Sequence, residues 1–157
     1  MTSNYTAAKL QRVLRRSIVE VMERMQSGGV SPVEIIRCIY DAYESGEFRT
    51  PARYLHDDVR AYVSDFVPWG GLRKGVDELK EGLRTMRAYA TLSFEASEIF
   101  DGGDFIVAVG QTSGVVNKTC EPFSAPAVHL WYFDGGKVIG FEYYLDESLA
   151  QLFEDAA

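Results

Sequence analysis

The sequence predicts an α+β fold in which a curved antiparallel sheet packs against helices. Three observations predict it: helical patterns fill the first half of the chain, strand patterns fill most of the second, and glycine-containing turns separate the strands. The 157 residues suit one main domain, because a chain of this length buries roughly two thirds of its unfolded surface in a single core.

Charge and composition argue against several classes of partner. The chain has 16 Lys and Arg against 23 Asp and Glu, and its net charge of −7 repels nucleic-acid backbones and anionic lipid surfaces. No apolar run approaches the roughly 20 residues of a membrane span, and no apolar signal segment opens the chain. We therefore expect a cytoplasmic protein with no nucleic-acid partner and no membrane association.

The thiols and imidazoles are too dispersed to form a metal site. Cys38, Cys120, His56 and His129 show none of the spacings that are typical of zinc ligands. Two unpaired cysteines also suit a reducing compartment. The sequence thus predicts no metal and no cofactor.

The N-terminal region has the pattern of an amphipathic helix. Apolar residues between Leu10 and Met25 fall on one side, which we expect to pack on the domain or on a second subunit. A membrane-surface role for the basic turn Lys9–Arg16 is the alternative. We assign residues 1–30 to this helical extension and residues 31–157 to the main domain.

Two further helices have recognisable ends. Ser31-Pro32-Val33-Glu34 is a capping box with proline at the first helical position, and that helix ends at Ser45-Gly46. The other helix runs from Gly75 to about Tyr89. Its apolar residues recur at helical spacing, so it can cover one side of a sheet.

The strands are predicted from alternating apolar residues. They are Val59–Val63, Leu92–Phe100, Phe105–Val115 and the two halves of Ala127–Asp146. The last segment is a hairpin that turns at Asp134-Gly135-Gly136-Lys137, because two glycines can adopt the positive φ of a tight turn.

Five short segments, spread over residues 33 to 153, carry a family resemblance. They are Ile39–Glu47, Tyr54–Val59, Pro68–Gly75, Gly103–Val107 and Gly136–Asp146. In order and spacing they resemble the SnoaL-like and ketosteroid-isomerase-like branch of the nuclear-transport-factor-2-like (NTF2-like) superfamily. The resemblance implies a cone, a strongly bent sheet closed on one side by helices, with an apolar cavity and a homodimer packed through the sheets.

The resemblance does not extend to the best-known catalytic groups. Steroid isomerases of this branch use a tyrosine, a carboxylate base and a protonated carboxylic acid, and the matching positions hold Ile39, Val63 and Val128. Asp65 lies on the same predicted strand face as Val63 and is the remaining candidate base; the alternative is an aspartate that caps a turn. The carboxylate that related branches carry in the last strand falls on Tyr143.

Alternation along the strands divides their residues between two faces. On the closing hairpin, the predicted inward set is Val128, Leu130, Tyr132, Ile139, Phe141, Tyr143 and Leu145. The predicted outward set is His129, Trp131, Glu142, Tyr144 and Asp146. Since aromatic residues are enriched at interfaces, we predict a homodimer through His129, Trp131, Glu142 and Tyr144. On the preceding strand, Gln111 is predicted to point inward with Phe105, Val107 and Val109.

Two functions from different classes remain open. The first is a protein that binds a small, flat, apolar molecule. Its predicted ligand contacts are Ile39, Tyr40, Tyr43, Val63, Trp69, Met86, Gln111, Val128, Leu130, Phe141 and Tyr143. The second is an isomerase, cyclase or dehydratase with Asp65 as general base and Tyr40, Tyr43 or Tyr143 as hydrogen-bond donor to an enolate.

The position of Asp65 discriminates between these functions. A carboxylate inside an apolar pocket acquires the raised pKa that proton abstraction needs, so the enzyme requires Asp65 in the cavity. His129 is a further acid–base candidate, because histidine titrates near neutral pH, although its predicted outward position favours an interface role. A third possibility, a purely structural dimerisation module, would leave the cavity filled by side chains.

Overall fold

The computed structural model describes residues 29–47 and 49–154, and it confirms the predicted α+β fold of the NTF2-like type. The predicted N-terminal helix lies outside these residues. The described helices are α1 (Pro32–Ser45), α2 (Arg49–Ala52), α3 (Gly75–Tyr89) and α4 (Ala150–Glu154). None of the helices within the described ranges is both long and apolar enough to cross a membrane.

Six strands form one open sheet in the order β2-β1-β6-β5-β4-β3. They are β1 (Leu55–Val63), β2 (Gly71–Lys74), β3 (Ala90–Asp101), β4 (Phe105–Val116), β5 (Pro122–Asp134) and β6 (Lys137–Leu145). The predicted antiparallel pairing holds except between β1 and β6, which run parallel. All of α3 and four strands, β2 to β5, separate β1 from β6 in sequence, which gives the long crossover that a parallel pair requires.

Both predicted ends of α1 are confirmed. The Glu34 N–H donates to the Ser31 hydroxyl at 3.2 Å, and the Ser31 N–H donates to the Glu34 carboxylate at 2.8 Å. Gly46 ends the helix in the left-handed conformation, at φ 75°. With both ends fixed, Tyr40 and Tyr43 face the sheet, where both pack against buried core residues.

The closing hairpin turns where the sequence predicts. Gly135 and Gly136 have φ of 55° and 77°, and Asp134 pairs with Lys137 across the two-residue turn. Positive φ at both central positions is the conformation that the right-handed twist of a hairpin favours. The turn thereby fixes the register at the tip of β5 and β6.

A β-bulge changes that register immediately after the turn. Phe133 pairs with Val138, but Tyr132 pairs with Gly140, so Ile139 is an extra residue on β6. The extra residue has no partner on the opposite strand. Its insertion changes which residues of the two strands share a face. From this point onward, each residue of β5 lies opposite a different partner from the one that an unbulged hairpin would give.

The bulge makes the predicted faces of β5 wrong. His129 lies opposite Tyr143 and Trp131 lies opposite Phe141, and His129 and Trp131 are only 4% and 5% exposed. Directly opposed residues share a face, so both rings point inward. Val128, Leu130, Tyr132 and Glu142 are half-buried on the outer face, where Tyr144 is exposed. Ile139, also predicted inward, is exposed.

The same correction applies to β4, because its residues pair with β5. Ala108 lies opposite His129, and Val109 lies opposite Val128. The inward residues of β4 are therefore Ile106, Ala108 and Thr112, all fully buried. Gln111, predicted inward, is exposed and donates from its side-chain amide to the Ser124 hydroxyl on β5.

The buried core lies between the helices and the inward face of the sheet. The C-terminal helix α4 closes one end of it through Phe153, which is fully buried. The Phe153 ring packs edge-on against Trp69, with 4.9 Å between ring centroids, and against Phe123 at 5.4 Å. These contacts hold the loop between β1 and β2 against the core, and that loop carries Trp69 to the candidate site.

Candidate functional site

The helices and the inward face of the sheet enclose a cavity of about 170 Å³ whose lining is almost entirely carbon. A cavity of roughly 150 Å³ is large enough to hold benzene, so the space suits a molecule of about one ring. The predicted ligand contacts that line it are Ile39, Tyr40, Tyr43, Val63, Trp69, Met86, Phe141 and Tyr143. Gln111, Val128 and Leu130 lie on the outer face and do not line it.

Three aromatic side chains form a hydrogen-bonded chain in the cavity wall. The Trp131 indole N–H donates to the Tyr40 hydroxyl oxygen at 3.0 Å, and that oxygen lies 2.8 Å from Nδ1 of His129. A buried hydroxyl rarely leaves its hydrogen unused. Tyr40 therefore donates to Nδ1, which places the hydrogen of the neutral imidazole on Nε2.

His129 is enclosed by aromatic rings. It stacks on Phe94 with 3.8 Å between ring centroids, and Tyr143 meets it edge-on at 4.3 Å. Burial lowers the pKa of His129 to about 3. A base this weak is poorly matched to proton abstraction near neutral pH, so the side chain acts as a neutral hydrogen-bonding group.

One nitrogen of that imidazole is unused. Nε2 of His129 is buried and has no hydrogen-bond partner among residues 29–47 and 49–154. The indole nitrogen of Trp69, in the loop between β1 and β2, is also buried and has no hydrogen-bond partner among those residues. A bound molecule with an oxygen atom would give either group a partner, since buried polar groups are normally satisfied.

The three phenols of the cavity are protonated at neutral pH. Burial raises the pKa of Tyr40 and of Tyr143 well above the usual value for a phenol, and it raises that of Tyr43 to about 12. Tyr143 is hydrogen-bonded to the Thr112 hydroxyl, whereas within the described ranges the Tyr43 hydroxyl donates to the Met86 sulfur, at 3.8 Å. A thioether is a weak acceptor, so Tyr43 is the phenol most readily redirected to a ligand.

Asp65 lies outside the cavity, so its predicted position at the pocket is wrong. It is exposed and accepts a hydrogen bond from the Tyr62 hydroxyl at 3.2 Å. The chain leaves the sheet at Ser64, whose N–H and hydroxyl are both bonded to the backbone of β6. The residue after Ser64 is therefore directed into the surface loop rather than along the inward face of β1.

Charged residues at the cavity were not predicted from the sequence. Arg73 of β2 and Arg87 of α3 line it, and so does Glu47, which follows α1. The signal that was available is the mid-helix Gly82, which leaves room for a side chain to lie across α3.

A family model described as the SnoaL-like domain matches residues 36–141. The chain belongs to the SnoaL-like family. A search of the curated proteins found no match.

Solved structures share the fold of this SnoaL-like chain. An NTF2-like protein from Burkholderia thailandensis E264 is 22% identical, with a TM-score of 0.73, over 80% of this chain and 98% of that one. A candidate SnoaL-like polyketide cyclase from Jannaschia sp. CCS1 is 15% identical, with a TM-score of 0.66, over 82% and 98%. TerC, crystallised with polyporic acid, is 19% identical, with a TM-score of 0.71, over 78% and 97%.

Few of the described groups that line this SnoaL-like cavity are suited to proton transfer near neutral pH. Among the described residues that line it, Glu47 is the one carboxylate, and it is exposed and accepts a hydrogen bond from the Arg49 N–H. The interior offers neutral donors on tyrosine, histidine and tryptophan. Such groups can orient an oxygen atom of a ligand, or stabilise a developing oxyanion, without exchanging a proton themselves.

Proposed function

We propose that this SnoaL-like protein binds a small, largely apolar molecule in its cavity. The observation that carries the proposal is a wall of carbon atoms and protonated phenols with the candidate base, Asp65, outside it. The co-crystallisation of TerC with polyporic acid supports the use of this fold for holding a small molecule. A ligand of about ten non-hydrogen atoms, at roughly 0.3 to 0.8 kcal/mol each, would bind with a dissociation constant between millimolar and micromolar.

An isomerase or cyclase is the second candidate, and the Jannaschia relative favours it. The three phenols and His129 would stabilise an enolate oxygen, but the base would have to come from Glu47 at the rim or from the substrate itself. Recovery of a bound compound, unchanged after prolonged incubation with the protein, would support binding alone. A new product that depends on Tyr43 would support the enzyme.

Filling the cavity is expected to abolish binding without unfolding the protein. Ala61 of β1 lines the cavity, so Ala61→Leu places about three additional carbon atoms in empty space rather than in packed core. We expect at least a tenfold weaker affinity for the neutral probe hydrocinnamyl alcohol in calorimetry, with thermal stability unchanged or raised. Ala88→Leu, on the exposed side of α3, is the matched control. Equal affinity in both variants would mean that the probe binds outside the cavity.

We also propose that the protein is a cytoplasmic homodimer that associates through the outer face of the sheet. The observed register of β4 and β5 places two directly opposed apolar pairs on this outer face, Val107 with Leu130 and Val109 with Val128. Phe105 and Val109 are 42% and 37% exposed on the same strand, and an apolar patch of this kind is typical of an interface. The free thiols of Cys38 and Cys120 suit a reducing compartment.

A lysine on that face is expected to dissociate the dimer. Val109→Lys introduces an unpaired charge at the centre of the apolar patch. Because a twofold axis brings the same patch of both copies together, the interface would contain this charge twice. Sedimentation equilibrium should show that the dissociation constant of the dimer rises at least tenfold, with a matching shift from dimer to monomer. Ala88→Lys, on the exposed side of α3, should leave the mass unchanged. A dimer that tolerates Val109→Lys would contradict this interface.

A further inference from the structure

Two arginines line the cavity, and neither forms an ion pair with a carboxylate among residues 29–47 and 49–154. Arg73 and Arg87 both line it, in a protein whose net charge is −7. Within residues 29–47 and 49–154, both guanidinium groups contact neutral groups. Arg87 is exposed to solvent, whereas Arg73 is half-buried. A half-buried arginine gains from a carboxylate partner, because charge near low-dielectric surroundings is costly when unpaired.

Arg73 is held in place by the backbone and by a glycine. Its Nη1 donates to the carbonyl oxygens of Trp69 at 2.8 Å and of Gly70 at 3.1 Å. Its side chain lies across α3 at Gly82, so closely that a Cβ atom added there would be 2.6 Å from Nε. Two neutral carbonyls use part of the five N–H donors of a guanidinium. The remaining donors have a fixed position beside the cavity.

Arg87 lies over the phenol that has the weakest hydrogen-bond partner. Its guanidinium carbon is 5.5 Å from the centroid of the Tyr43 ring, and Nη2 donates to the Tyr43 carbonyl oxygen at 3.4 Å. The positive charge of Arg87 acts to lower the pKa of Tyr43, against the larger effect of burial. Arg87 and the Tyr43 hydroxyl therefore supply a cation and a donor at one side of the cavity.

We propose that the molecule bound in the cavity carries a carboxylate at one end of its apolar body. The apolar part fills the cavity, and the carboxylate accepts from Arg73 and Arg87 at the rim. Arginine suits this role because its planar donors match a carboxylate. Glu47 lines the same rim, and its carboxylate is already bonded to the Arg49 N–H. This inference rests on the proposed function, and it names the class of ligand.

A matched pair of probes separates the two proposals. Hydrocinnamate and hydrocinnamyl alcohol share the same ring and chain and differ in the carboxylate. We expect calorimetry to show at least tenfold tighter binding of the carboxylate to the full chain. Equal affinity would overturn the carboxylate inference and leave apolar binding standing. Absence of binding by both probes at millimolar concentration would overturn both proposals.

Four variants test whether the arginines cause the preference. Arg73→Gln and Arg87→Gln should each reduce the preference for the carboxylate at least threefold, while the affinity of the alcohol stays within twofold. Arg84→Gln removes an arginine of α3 that pairs with Glu81 at 2.9 Å, away from the cavity, and should leave the preference intact. A preference that survives both cavity substitutions would contradict the inference.

Gly82→Ala moves the Arg73 guanidinium without removing its charge. Alanine favours a helix over glycine by about 1 kcal/mol, so the fold should be retained even if Arg73→Gln fails to fold. The added methyl group occupies the space of the Arg73 side chain and should reduce the carboxylate preference at least threefold. An unchanged preference in a folded Gly82→Ala protein would show that the Arg73 position does not select the ligand.

Discussion

The free energy of unfolding is expected to fall by about 2 kcal/mol between pH 7 and pH 5, because His129 is buried in its neutral form. The unfolded chain binds a proton at this histidine near pH 6.5, whereas the folded chain does so only near pH 3. Between those values the unfolded state binds more protons, so stability rises with pH and is lost as the pH falls. Over the whole window the loss would reach roughly 4 to 5 kcal/mol.

Urea unfolding measured at several pH values checks this expectation. The rings that surround His129 carry no charge, and its hydrogen-bond partner is a protonated phenol. His129→Gln should therefore flatten the pH dependence between pH 5 and pH 7, although it lowers stability at every pH. His56→Gln changes the chain's other histidine, which is exposed, and should preserve the slope. A slope that persists in His129→Gln would assign it to another group.

Removing one hydroxyl, in Tyr40→Phe, is expected to cost about 2 to 4 kcal/mol of stability. That oxygen serves both the Trp131 indole N–H and Nδ1 of His129. Its loss leaves two buried polar atoms without partners, and each such atom costs about 1 to 3 kcal/mol. The ring remains, so the packing against Phe94 is retained and the loss is mainly polar.

Tyr43→Phe is the matched control, since it removes a phenol hydroxyl from the same helix and the same cavity. The Tyr43 hydroxyl contacts the Met86 sulfur at 3.8 Å, and its loss should cost less than about 1 kcal/mol. Chemical denaturation of both variants at pH 7 gives the comparison. Equal losses in the two variants would mean that the contacts among Tyr40, His129 and Trp131 contribute little to the fold.

Local chemistry in the sequence predicted much of the fold. The Ser31 capping box, the Gly46 helix end and the Gly135-Gly136 turn depend on neighbours within a few residues. Each of these features is therefore readable from a short segment of sequence. The boundaries of α3 were predicted for the same reason. The parallel pairing of β1 with β6 depends on residues about eighty positions apart, and no short segment encodes it.

The cavity was harder to predict because faces depend on register. The unbulged hairpin places Val128 and Leu130 inward, and their apolar character agrees with that choice. Both faces of β5 carry apolar or aromatic residues, so composition could not show the extra residue at Ile139. The one-residue difference in register assigned His129 and Trp131 to the outer face, whereas both point inward. The predicted contacts on α1 and β6 do line the cavity, because α1 lies outside the sheet and the bulge leaves the face of Phe141 and Tyr143 unchanged.

Both tryptophans of the chain, Trp69 and Trp131, lie in the wall of the cavity. They come from different parts of the structure, one from the loop that follows β1 and one from the centre of the sheet. Tryptophan emission from this protein therefore originates wholly beside the space that a ligand would occupy. A bound molecule that changes the polarity around those indoles will alter the wavelength or intensity of the emission. Ligand binding to the unlabelled protein can therefore be followed by its intrinsic fluorescence.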